Sequence, residues 1–184
     1  MDNITYQKTG IMAKDLVREI KETYGALLHT LSLFPAVQID TVPFEGSWTA
    51  GQVAEHLLRG GFSAGDFFRE NVKPSERPPD AAVEGIKTFF LDFTTRSQSM
   101  EFLRPVQTMH DKSELLQQLE KQQNDYIDAA QNLDLSYLCM GMKLPGADYL
   151  TRMEWIYLNV YHTQRHTRQL QNIYKALQPA AGKA

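Results

Sequence analysis

The segment His162-Thr-Gln-Arg-His166 sets two imidazoles four residues apart, one turn of a helix from each other on the same face. At about 100° per residue, both fall within a stripe that holds Trp155, Leu158, Asn159, Leu170, Ile173 and Leu177. Glu154, Gln164, Arg168, Gln171 and Lys175 are expected on the sides and back of that helix. The two histidines therefore point toward a core, where protonation is costly and both ring nitrogens need partners. A metal ion would satisfy one nitrogen on each ring. A hydrogen-bond network through Asn159 and Gln169 is the alternative. His56 offers a third ligand, on a helical face shared with Thr49, Val53, Gly60, Ser63 and Phe67. Gly60 and Ser63 are small and lie about one turn beyond it, which leaves room beside the imidazole. Three neutral imidazoles with an open position suit a reactive divalent ion, since structural zinc sites are usually closed by four protein ligands.

Other chemistry fits less well. His29 falls off the apolar stripe of its helix and reads as solvated, and His110 precedes an Asp111 cap and reads as part of a turn. Cys139 is the sole cysteine, with nothing beside it to lower its thiol pKa, and it allows no internal disulfide. The zinc-protease motif needs a glutamate after its first histidine, but Thr163 follows His162. No histidine has a glutamate three residues before it, which excludes the di-iron Glu-x-x-His pattern. A P-loop and a dinucleotide fingerprint are both missing from the sequence. Glu55 adjoins His56, yet helical geometry rotates it roughly 100° away.

Four long amphipathic segments must position these residues. The first runs from about Ile11 to Leu33, with Leu16, Val17, Ile20, Tyr24, Leu27, Leu28 and Leu31 on one stripe, and Pro35 ends it. The second opens on a Thr49/Gln52 capping box, with Trp48 and Val53 at the staple positions. It is expected to continue through Phe62 and Phe67 to about Asn71, where Pro74, Pro78 and Pro79 follow. Val83, Ile86, Phe89, Phe90 and Phe93 suggest a short extra helical segment. Asp111 and Glu114 then open a third long helix that turns Leu115, Leu116, Leu119, Tyr126, Ile127 and Leu133 inward. Gly141, Pro145 and Gly146 mark a loop, and the last helix runs from about Tyr149 to Leu177. The expectation is a single all-α domain over residues 1–184. It is a four-helix bundle with a short helical segment between its second and third helices and a frayed tail at 178–184.

Composition agrees with a globular domain: 184 residues, 42% hydrophobic and 22% charged. A net charge of −3 gives no basic footprint for nucleic acid or an anionic membrane. No apolar run approaches the roughly 18–20 residues of a membrane span, and the N-terminus lacks a signal-peptide pattern. With one cysteine, the cytoplasm is the expected compartment.

Two stretches resemble a known family. Trp48-Thr-Ala-Gly-Gln-Val-Ala-Glu-His56-Leu is similar to the second-helix motif of the DinB/YfiT-like metal proteins. Leu150-Thr-Arg-Met-Glu-Trp-Ile together with His162-Thr-Gln-Arg-His166-Thr-Arg-Gln-Leu170 is similar to their fourth-helix motif. The likeness runs from the first helix to about Tyr174, whereas Lys73 to Thr108 matches no motif. The resemblance implies an up-up-down-down bundle, often a homodimer, with a divalent metal (Zn, Ni, Fe or Mn) on His56, His162 and His166. It further implies use of a low-molecular-weight thiol on a small-molecule substrate, as in bacillithiol- and mycothiol-dependent S-transferases and maleylpyruvate isomerases. An open-position ion acidifies a water or a thiol. The absence of an obvious proton shuttle favours thiol transfer over hydrolysis. A metal-dependent hydrolase and a non-enzymatic metal-binding or interaction module are the alternatives.

Overall fold

A computed structural model describes residues 3–61, 64–95, 99–144 and 146–178, with backbone alone at 3–12 and 64–65. Ser63, Phe62, Pro145 and the tail from 179 onward lie outside the described residues. Helix α1 spans Asn3–Ser32, α2 Ala50–Gly60, α3 Ala64–Phe67, α4 Val83–Leu91, α5 Lys112–Asn132 and α6 Arg152–Leu177. The all-α class holds. Helix α1 packs on α5 and α6, α2 packs on the same two helices, and α4 lies along α6. Two-residue strands β1 (Val72–Lys73) and β2 (Leu138–Cys139) pair antiparallel near the start of α6, too short to show any alternation in sequence.

The stripes form the core. Leu16, Ile20, Tyr24, Leu27 and Leu31 of α1 are buried against Leu115, Leu119 and Tyr126 of α5 and Ile156, Val160 and Leu170 of α6. Each such side chain contributes about 1.5–3 kcal/mol by leaving water. Both expected N-caps form. The Thr49 side chain accepts from the Gln52 N–H, and Gln52 reaches back to the Thr49 N–H, each at 3.1 Å. Asp111 accepts from the N–H groups of Ser113 and Glu114.

The second helix ends earlier than its sequence suggested. α2 stops at Gly60, a separate short helix, α3, holds Ala64–Phe67, and Asn71 has φ 48°. A neighbouring helix takes over the chain's bonds at that point. The Tyr126 hydroxyl donates to the Gly61 carbonyl, and Gln122 presses so close that Gly61 has no room for a Cβ. The extra helical segment is α4, shorter than the apolar run from Val83 to Phe93.

Glu154 is a correction. The helical wheel put it on the flank of α6, yet it is fully buried. Thr151 and Glu154 form a second capping box, and the carboxylate also accepts from the Ala82 N–H and forms a bidentate ion pair with Arg77. A residue in the first turn faces the segment that precedes the helix, and that segment supplies an arginine. Arg77 in turn donates to the Tyr149 carbonyl at 3.0 Å, so the 72–82 loop is tied to the root of α6. Arg77→Ala leaves a buried carboxylate with backbone donors alone. We expect it to lower the unfolding free energy by about 2–3 kcal/mol, read from the urea midpoint at neutral pH; an unchanged midpoint would contradict this role.

Candidate metal centre

The capping box sets the phase of α2, so that Ala50, Val53, Ala54 and Leu57 enter the core and His56 turns toward α6. On α6, His162 and His166 emerge from the same buried stripe. His56 is 2% exposed, His162 9%, and His166 is half-buried. The three rings meet edge to face, with centroids 4.9 Å apart for His56–His162, 4.6 Å for His56–His166 and 4.5 Å for His162–His166. One nitrogen from each lies within 4.8 Å of the others, a grouping able to hold a metal ion.

Hydrogen bonds assign the lone pairs. His56 Nδ1 lies 2.8 Å from the Leu103 carbonyl, which can only accept, so Nδ1 carries the proton. His166 Nδ1 donates likewise to Gln169 Oε1 at 2.7 Å. In both rings Nε2 is left as the acceptor and faces the cluster. His56 Nε2 and His162 Nε2 are 3.0 Å apart. Two nitrogens sharing a tetrahedral zinc at about 2.0–2.1 Å sit about 3.3 Å apart, so the pair fits an ion after a small opening. Carbonyl or amide acceptors behind metal-ligating histidines are the usual means of setting their tautomer and ring orientation. The Gln169 half of the alternative network is present; Asn159 instead donates to the Trp155 carbonyl of its own helix.

The surroundings are apolar. Trp48, beside the α2 cap, lies 5.0 Å from the His56 ring and stacks near-parallel to His166 at 6.5 Å. Phe90 of α4 meets His162 edge-on at 5.3 Å. Gly60 lies against His162, where an added Cβ would stand 3.4 Å from the imidazole, in ordinary van der Waals contact. Arg165, between the two histidines, donates to the carbonyls of Phe90, Asp92 and Thr95 and so fastens the end of α4 beside them.

The unmatched middle segment thus supplies both a wall, Phe90, and the Leu103 carbonyl that orients His56. No side-chain motif signals a backbone carbonyl, and only the apolar run around Phe90 hints at the wall. Glu55 points away from the cluster, as helical geometry requires. His29 is exposed and Cys139 is buried, its thiol pushed up to about 12 mainly by that burial. His110 keeps apart from the three histidines, yet its side chain is only 1% exposed and bonds to Asp40 and Glu55 rather than to solvent.

Burial lowers the pKa of all three cluster histidines. His162 is held well below the ordinary 6.5 by desolvation, with His166 and His56 adding to the effect. His166 is pushed down to about 3 by desolvation first and His56 next. In His56 desolvation outweighs the opposing bond to Leu103. A histidine with a depressed folded pKa stays neutral while its unfolded counterpart takes up a proton, so acid favours unfolding. In chelator-treated protein the stabilisation is complete above about pH 6.5 and is lost as pH falls toward 3. Urea midpoints at neutral pH and at moderately acid pH check this, with a steep fall expected that is smaller in His166→Gln. A flat profile would mean that the rings are not buried as neutral groups.

Comparison with known proteins adds one match. No curated protein and no solved structure matches the chain. Residues 19–170 match the DinB superfamily, a span that takes in both motifs, all three histidines and most of the sequence. The chain belongs to the DinB superfamily.

Proposed function

We propose that this protein holds one divalent metal ion between His56, His162 and His166, and that it transfers a low-molecular-weight thiol to a small electrophile. The observation that carries the reading is the convergence of three neutral imidazoles, two of which have Nδ1 bonded outward and Nε2 turned inward. Zinc, nickel, iron and manganese are the candidate ions, and imidazole donors suit several of them. When bound with an open coordination position, such an ion acidifies a thiol that enters it.

The chain's own residues supply the rest. Leu103 and Gln169 hold the ligands in the required tautomer, while Trp48 and Phe90 provide an aromatic lining for a small apolar electrophile. Hydrolysis would call for a carboxylate or free histidine to shuttle protons. Glu55 and Glu154, on the helices that carry the histidines, are engaged elsewhere: Glu55 with Val106, Gln107 and His110, and Glu154 with Arg77. That engagement favours thiol transfer over the hydrolase alternative; a non-enzymatic metal-binding or interaction module is the remaining reading. In this reading the long helices form an up-up-down-down bundle, and the protein acts as a cytoplasmic homodimer on a small-molecule substrate.

Elemental analysis of purified protein should return one ion per chain, reduced to background in His162→Ala. With free ion at 100 times its Kd, binding adds about 2.7 kcal/mol of stability. Chelation should therefore lower the melting temperature of the wild type and leave that of His162→Ala unchanged. Electrophile consumption should require added thiol. Metal-free wild type indifferent to added ions would sink the metal centre, and thiol-independent turnover would replace transfer by hydrolysis.

A further inference from the structure

His56 is aimed by a carbonyl outside any long helix, and a carbonyl can aim a ring only if its own segment is held. Leu103 ends a 3-10 turn, Glu101–Leu103, on the strap that leads to the Asp111 cap. Two residues of α2 that flank His56 grip this strap on either side of Leu103. Arg59 donates from Nε and Nη2 to the Phe102 carbonyl at 3.2 and 2.9 Å. Glu55 accepts the Val106 N–H at 3.0 Å on one oxygen and the Gln107 N–H at 3.1 Å on the other. An Arg59–Glu55 contact of 3.6 Å links the two grips along the helix.

Glu55 is itself braced. His110 Nε2 stands 3.1 Å from Glu55 Oε2, and His110 Nδ1 stands 2.6 Å from Asp40 Oδ1. The His110 N–H donates to Asp40 Oδ2 at 2.7 Å. The brace lies against α2 so tightly that a Cβ at Gly51 would stand 2.5 Å from both Asp40 Oδ1 and His110 Nδ1. An unbroken series of bonds thus runs from Asp40 through His110 and Glu55 to the strap, and from Leu103 to His56.

We propose that Glu55, with His110 behind it, is a positioning residue for His56: it holds the strap so that Leu103 keeps His56 in the Nδ1–H form with Nε2 turned to His162 and His166. Its purpose rests on the metal-centre reading above, while its geometry does not. The bonded carboxylate beside a ligand histidine acts on the ligand's orientation from behind, through the backbone, and touches no reacting atom.

Long-range proton–nitrogen NMR of metal-free protein reads the tautomer directly, and zinc titration against a competing chelator reads the affinity. Wild type should show His56 protonated at Nδ1. In Glu55→Ala the His56 signals should shift toward a mixture of tautomers, with zinc bound about 10–100-fold more weakly. Glu55→Gln keeps one acceptor for the strap and should lose less. If Glu55→Ala does not fold, His110→Ala serves in its place, with the same shift expected. Leu27→Ala, a core truncation between α1 and its partners, supplies a loss of stability without touching the strap and should keep the wild-type tautomer and affinity. A Glu55→Ala protein with His56 still protonated at Nδ1 and wild-type zinc affinity would overturn the proposal. So would an equal shift in Leu27→Ala. Wild type that binds no zinc would sink the metal centre instead, while the tautomer spectra would still decide this point.

Discussion

Three imidazoles whose inward nitrogens share one small space are the constraint on which the structure turns. Burial makes each ring neutral, and neutral rings each present one donor and one acceptor. Leu103 and Gln169 take up the donors of His56 and His166, so two lone pairs are left facing inward. A proton on His162 can meet one of them, and a cation can meet them together. The three rings form a grouping able to hold a metal ion.

Holding that space open takes most of the fold. Two capping boxes set the starting phase of α2 and α6, and a helix begun one residue off would rotate its histidines by about 100°. The core between α1, α5 and α6 makes the backbone stiff enough to keep the rings in register. The stretch between α2 and α5 then closes over the rings from two directions. Helix α4 is pinned at one end by Glu154, which takes the Ala82 N–H, and at the other by Arg165. The strap after it is gripped by Glu55 and Arg59. Arg165 lies between the two histidines of α6 and Glu55 and Arg59 lie on either side of His56, so residues interleaved with the candidate ligands place their cover.

Much of this was legible in the sequence because it is periodic or local. Leu16, Ile20, Tyr24, Leu27 and Leu31 announce their helix by spacing, Thr49 and Gln52 announce a cap by type, and His162 and His166 announce a shared face. What was not legible depends on partners distant in the chain. Glu154 reads as a flank residue until Arg77 arrives from a loop, and His110 reads as a turn residue until Asp40 and Glu55 enclose it. The early end of α2 is set by Tyr126 and Gln122 of another helix. Leu103 contributes a backbone carbonyl, to which side-chain patterns are blind. The three histidines and Gln169 are legible because their chemistry resides in side chains; the Leu103 carbonyl that orients His56 is not, because it belongs to the main chain.

Crystals grown with zinc and measured on both sides of its absorption edge would locate the ion. One anomalous peak per chain is expected, bonded to Nε2 of His56, His162 and His166 at about 2.0–2.1 Å. Its remaining position should be free of protein ligands. No peak among the three rings, with zinc bound at other residues or nowhere, would contradict the metal centre.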